Sequence, residues 1–572
     1  MTSLVQTVLA EHPLATTVAA GSIVYYIFKR YEPDTPLPLL GLLGAVPSAL
    51  SAALYLASPS SLLCTVTTTF ALYYTTIIAC TLAYRVSPFH PLAQFPGPFL
   101  HKLSKFRMAY ILFARKEHLG VDITYFKKLH EKYGRYVRIG PNELSICDAD
   151  AIFPVLGAQG FPKGPFWDGR VPPGTTRSLI SERDPAEHLR RRKVWNRGFS
   201  QSALHQYEGI IRDRTVQFVQ LLEKMKEPFD LDQWLSYYTF DFMGDMAFGG
   251  GFELMRHGED HTGVIELMDG SFRRNNITAH VPYTLRYLNM LEFKGAVTNK
   301  FAQFAAERVE IRKREGSMRK DLFHYLIDED GHEPHPPKMN ELMSDGLLAI
   351  VAGSDTTSHV MINAFYFLMK HPEMQERLQR EIDESFPPGS SPFDPVKQAN
   401  MPYLNAVLNE AMRLQPPVPN GAQRSTQHIG ARMIGDRYIP AGTQVNINTY
   451  ALQRDPTYFS PTPNDFWPDR WLPEADRALA FKELIGSAGE KGEKTGFVHD
   501  VTAFFPFSFG PAMCVGRPLA YMQMRMAACA ILQRMTLSLP VGVHDIEDYR
   551  LAGRGVCPTI VTVREGSKPL VG

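Results

Sequence analysis

Cysteine is scarce in this chain: six residues among 572 (Cys64, Cys80, Cys147, Cys514, Cys529 and Cys557), scattered, with no CxxC and no regular pairing. That excludes a disulfide framework and fits free thiols in a reducing compartment. Net charge is nearly absent as well. Sixty Lys and Arg against 59 Asp and Glu leave +1, so no overall basic field exists to draw nucleic acid, and no nucleic-acid motif is present. There is no internal repeat, no long low-complexity tract, and no flavin or nicotinamide fingerprint.

The longest absence is of charge. From Thr35 to Tyr84 no residue is charged. A membrane helix needs about twenty apolar residues, so this run holds two spans, with Pro59 in Ser58–Ser61 as the turn between them. Ahead of it Pro13–Phe28 is apolar but short, and Lys29-Arg30 follows. A cleavable signal peptide would need an early positive charge, and Met1–Ala10 has none, so retained anchors are expected. With three spans, Lys29, Arg30, Arg85, Lys102, Lys105 and Arg107 fall on one side, as the positive-inside tendency requires. If the first segment does not span, the sidedness holds and the N-terminus moves across, so charge fixes orientation but not span count. The expected division is residues 1–87 as an anchor of three transmembrane helices, 88–98 as a proline-stiffened hinge (Pro88, Pro91, Pro96, Pro98), and 99–572 as one large domain.

That domain reads as mainly α with small β sheets. Long helices are expected near Leu119–Tyr133, Ser202–Lys226, Leu342–His371, Pro402–Leu414 and Gly516–Met535. Tyr136–Ile139 with Asn142–Ile146 reads as one hairpin, and Arg437–Thr443 with Val445–Ile447 as another. The Gly- and Lys-rich stretch Gly486–Gly496 reads as a mobile surface insertion.

The most informative segment is Phe507-Ser-Phe-Gly510-Pro-Ala512-Met-Cys514-Val-Gly516-Arg517. One cysteine lies between two glycines and runs into a helix-forming stretch. Gly510 and Gly516 let the backbone turn tightly and approach a flat ligand, and the helix start aims N–H groups and a positive dipole end at the sulfur. Such a site suits a thiolate holding a planar metal cofactor. A buried structural cysteine is the plainer reading of this residue alone.

The pattern F-x-x-G-x-x-x-C-x-G resembles the haem-binding loop of the cytochrome P-450 family, which implies Cys514 as the axial iron ligand of haem b. One position departs from the family: Arg or His usually stands two residues before the cysteine and pairs with a propionate, and here it is Ala512. The propionate must find its cation elsewhere, or haem retention is weaker. Ala352-Gly-Ser-Asp355-Thr356-Thr resembles the family's oxygen-activation motif, with small residues leaving room for dioxygen and Asp355 and Thr356 handling protons. Taken singly, such a Thr would merely bond back within its helix. Glu410-Ala-Met-Arg413 and Phe466-Trp-Pro-Asp-Arg470 resemble the parts of a buried structural triad. His188-Leu-Arg-Arg-Arg192, with Trp195 and Phe199 beyond, resembles the helix that presents side chains to haem. His188 and Arg192 then face the cofactor, together with Arg424, and Arg190, Arg191 and Lys193 form a solvated face.

The resemblance covers Phe95 to Pro558. It implies a cytochrome P-450 fold behind the anchor and a microsomal monooxygenase on the cytosolic face of the endoplasmic reticulum, where the sequon Asn276-Ile-Thr278 stays unmodified. The implied partners are NADPH-cytochrome P-450 reductase, cytochrome b5, membrane lipid and an apolar small molecule, terpenoid, steroid or polyketide-like, as in fungal secondary metabolism. Pocket walls would include Phe166, Trp167, Leu347, Val351, Val418–Gly421 and Leu551–Arg554. Two other classes compete: a haem-thiolate isomerase or dehydratase working without a reductase, and a haem-binding membrane sensor. The intact Asp355-Thr356 pair argues against both.

Overall fold

A computed structural model describes residues 2–33, 35–58, 61–114, 121–171, 175–261, 263–284, 300–316, 319–335, 337–487, 496–543 and 555–570. The Pro59 turn, the Leu551–Arg554 wall and most of the Gly486–Gly496 insertion lie outside them. Two units emerge, residues 1–105 with 138–141, and residues 106–137 with 142–572.

In the first unit, two helices are long and apolar enough to cross a membrane, Pro36–Ala57 and Leu62–Val86. The first contains a π-helical turn, Gly41–Ala45, just before Pro47. Pro47 has no N–H to return to the carbonyl of Leu43, four residues earlier. The Tyr74 hydroxyl donates to that carbonyl, and Tyr73 donates to the neighbouring Leu42 carbonyl at 2.6 Å. In hydrocarbon, where no water could serve, this keeps the irregular turn satisfied. The preceding helix, Pro13–Tyr31, packs on Leu62–Val86, where a Cβ at Gly21 would sit 3.0 Å from Thr76. Lys29 covers the Tyr84 ring at 3.6 Å. The proline-rich stretch is a chain of turns that buries His90, Leu92 and Phe95.

The second unit is mainly helical. Its longest helix, Met339–Lys370, contains no proline and packs lengthwise on Leu231–Phe248, which is apolar nearly all round and accordingly buried. Gly353 permits that approach: a Cβ there would stand 2.4 Å from Met243 Sδ. Gln201–Leu222, Pro402–Leu414 and Arg517–Arg534 join the same hydrophobic core. The helix expected from Leu119 is described over Val121–Tyr133.

Small sheets flank this core. The strands Tyr136–Gly140 and Glu143–Ile146 are neighbours, as the first hairpin predicts. The second hairpin is not formed as expected. Gly435-Asp436 makes a two-residue turn, Gly435 with φ 55°, so Arg437–Ile439 pairs back onto Arg432–Ile434. Gln444–Ile447 instead runs parallel to Glu143–Ile146 and antiparallel to Arg424–Ser425. That partner lies some three hundred residues upstream, beyond any local pattern.

Candidate active site

The cysteine loop is built by its own backbone. Cys514 N–H donates to the Phe507 carbonyl at 2.9 Å, and Met513 N–H to the Gly510 carbonyl at 3.0 Å. Gly510 has φ 71°, and a Cβ there would meet the Leu156 carbonyl at 2.1 Å. Glycine is therefore demanded at 510 by the left-handed turn and a neighbouring strand of chain, not by a flat ligand. At Gly516 a Cβ would make ordinary contacts of 3.7 Å with Phe199 and 3.8 Å with Cys514 Sγ. Phe507 packs on Tyr521.

Cys514 keeps accessible surface, yet atoms crowd the sulfur closely. Burial pushes the thiol up, while the Gly516 backbone N–H, the Arg192 guanidinium and the Arg517 N–H pull it back. These favour thiolate, as expected at a helix start.

Arg192 donates to the Met513 carbonyl at 2.7 Å, one residue from the cysteine, and to Asn196 at 2.9 Å. Arg424 is buried, its Nε has no hydrogen-bond partner, and burial lowers it to about 10. His188 is pushed down to about 4 by burial and by the charges of Lys163, Arg192, Arg424 and Arg191. The structure thus brings His188, Arg192 and Arg424 into one electrostatic neighbourhood.

Sequence reasoning missed its fourth member. Lys163 is buried, donates to the Leu179 carbonyl at 3.0 Å, and forms a backbone bridge with Arg424. Burial, then Arg424, lower it to about 7. A lysine inside the apolar stretch Phe161-Pro-Lys-Gly164 was the available signal. Arg191 also departs from expectation. It is not on a solvated face but buried against Asp345 at 2.5 Å, where Trp195 Nε1 and Leu179 N–H also donate. Arg190 does face solvent, between Glu187 and Glu341, and Lys193 is exposed.

On the long helix, Ala352 is exposed and Thr356 half-buried, one turn apart. Thr356 Oγ1 donates to the Ala352 carbonyl at 2.5 Å, so its remaining capacity is to accept. Gly353 serves helix packing against Met243, which corrects the idea that it opens space for a cofactor. Glu410, Arg413 and Arg470 converge with no exposure at all. Arg413 binds both Glu410 oxygens at 2.8 Å, Arg470 donates at 3.0 Å, and Trp471 Nε1 at 2.9 Å. Burial would raise Glu410, but Arg413 and Arg470 outweigh it and hold the carboxyl down to about 2.

A thiol beside helix N–H groups, three clustered cations (Arg192, Arg424 and Lys163) of which Arg424 has an unpartnered buried N–H, and the neutral His188 imidazole match the thiolate and two carboxylates that haem b requires. The donor set fits that group.

Residues 106–556 match the family model described as cytochrome P-450. Among curated proteins, the chain is 34% identical to cytochrome P-450 67 of Uromyces fabae, covering 80% of this chain and 82% of that one. It is 33% identical to the cytochrome P-450 monooxygenase orf5 of Eupenicillium brefeldianum, over 80% and 87%. It is 30% identical to tryprostatin B 6-hydroxylase of Aspergillus fumigatus, over 86% and 84%. Motif, fold and relatives agree, and the chain belongs to the cytochrome P-450 family as one of its monooxygenases.

Proposed function

We propose that this monooxygenase hydroxylates or epoxidises an apolar small molecule in fungal secondary metabolism, terpenoid tailoring included. Electrons come from NADPH through a separate reductase, with cytochrome b5 as a second donor. It works from the cytosolic face of the endoplasmic reticulum, held by a three-helix anchor over residues 1–87. The observation that carries the reading is the Cys514 loop, where Gly516, Arg517 and Arg192 all favour negative charge on one accessible sulfur.

Haem b, held by Cys514 Sγ and by His188, Arg192, Arg424 and Lys163, would supply dioxygen binding and oxygen transfer. The chain's own residues do the rest. Arg192 ties the propionate neighbourhood to the Met513 carbonyl, so cofactor seating and sulfur position are coupled. Ala352 keeps the distal wall low. Asp355 brings protons from solvent towards Thr356, whose Oγ1, already donating to the Ala352 carbonyl, accepts and orients the next donor. The Glu410–Arg413–Arg470 triad fixes the proximal frame and touches no reactant.

The test is a product profile. The chain, coexpressed with a reductase and fed terpenoid and aromatic scaffolds, is expected to give NADPH-dependent products gaining one atom from labelled dioxygen. Products formed without reductase or NADPH would favour an isomerase or dehydratase instead.

A further inference from the structure

Beside Phe166 and Trp167, the aromatic pair expected from the sequence to line the pocket, stands a cation with no counter-ion among the described residues. Arg170 ends the short 3-10 turn Pro165–Arg170, with its guanidinium 5.6 Å from the ring centroids of both Phe166 and Trp167. The nearest carboxylate in sequence, Asp168, is already taken by Arg177 at 2.7 Å and by Arg183. Among the described residues no acidic group pairs with Arg170 and no hydrogen bond satisfies it; the side chain is half-buried, and desolvation by its neighbours lowers it to about 10.

The turn is rigidly held. Phe166 N–H donates to Gln423 Oε1 at 2.9 Å, next to Arg424. On the other side, Thr278 Oγ1 donates to the Gly169 carbonyl at 2.6 Å, and a Cβ at Gly169 would meet the Thr278 carbonyl at 2.2 Å. Phe166 packs edge-on against His280 at 5.6 Å. The arginine is therefore fixed between the strand beside the propionate cations and the end of the Val264–His280 helix. It stays distinct from those cations, none of which perturbs it.

A partly desolvated charge with no partner is unfavourable in the folded chain, and a ligand that neutralises it relieves that cost. Aromatic neighbours engage a guanidinium through its π face, while its N–H edges form a planar fork matched to a carboxylate. We propose that Arg170 anchors a carboxylate on the substrate, so that the molecule oxidised here is an apolar or aromatic body ending in an acid. The inference rests on the monooxygenase reading above and narrows its substrate class.

Imidazoles with linear tails test it, because the ring binds the haem iron and the tail explores the pocket. Dissociation constants from the Soret shift of the full-length holoprotein are compared for carboxyalkyl, carboxamide and plain alkyl tails over a range of lengths. At one length the acid is expected to bind at least about tenfold tighter than the alkyl tail, the scale of one charged hydrogen-bonded pair. Arg170→Gln abolishes that preference without changing alkyl binding or haem content, and Arg170→Lys retains part of it. No preference for acid at any length, a preference that survives Arg170→Gln, or an amide bound as well as the acid would each overturn the proposal. Should Arg170→Gln not fold, the wild-type ratios and Arg170→Lys still decide. A wild-type chain that takes up no haem would sink the monooxygenase reading itself, and this proposal with it.

Discussion

At the scale of single residues, charge from elsewhere in the fold is expected to offset the cation missing at Ala512. Lys163, buried and bridged to Arg424, is the candidate for the role a local cation would have filled. Lys163→Met is expected to speed haem transfer to apomyoglobin by about tenfold, the worth of one charged hydrogen bond. Ala512→Arg should change little alone but restore retention in the Lys163→Met background. Equal transfer rates in all variants would remove Lys163 from the site. Thr356 makes a different prediction. Its hydroxyl donates to Ala352, so Thr356→Ala leaves fold and haem spectrum intact. Product formed per NADPH should fall by about tenfold, the low side of proton-transfer effects, with hydrogen peroxide rising in step. Unchanged coupling would exclude the hydroxyl from the mechanism. None of this could be read off the basic run at 188–193 alone. Alternate cations on one helix look equally solvated in sequence, yet Arg191 is buried on Asp345 and Arg190 is not.

At the scale of elements, the helix Pro402–Leu414 contributes charge to the core only because three partners arrive together. Removing one member of a buried pair costs about 3–5 kcal/mol, since the other charge stays behind unpaired. Glu410→Gln is therefore expected to lower the urea midpoint sharply and to loosen the segment around Arg470. The pH dependence follows from the depressed Glu410, ordinarily near 4.5 and here about 2. Its stabilisation is complete above the unfolded value and disappears as pH falls from 4.5 towards 2. Glu410→Gln should flatten the stability profile across that window, and parallel profiles would contradict the buried triad. Helices are the most legible elements, because Pro at their first turns and apolar runs mark their ends: the helix spans Pro402–Leu414, the bounds its sequence predicts. Strand partners are not. Gln444–Ile447 pairs with Glu143–Ile146, a contact set by the closed fold and by the Gly435 turn diverting its expected neighbour.

At the scale of the whole molecule, a family domain over residues 106–556 follows two helices long and apolar enough to cross a membrane. Two helices qualify as spans by length and composition, and Pro13–Tyr31, about 28 Å long at 1.5 Å per residue, packs along one of them. Three spans predict that a glycosylation sequon added at the N-terminus is modified in microsomes, as is one placed between Ser58 and Ser61, while Asn276 is not. An unmodified N-terminal sequon would leave two spans. Sequence showed the motifs because each is a short local code. It concealed the burial of Lys163 and the aromatic setting of Arg170 because both are properties of the folded chain. The account as a whole stands on one sulfur, and the carbon monoxide difference spectrum of the reduced protein tests it most directly. The wild type should show the band typical of thiolate ligation, and Cys514→Ser should lose it while keeping the secondary structure. A Cys514→Ser protein that retains the thiolate band would contradict the assignment.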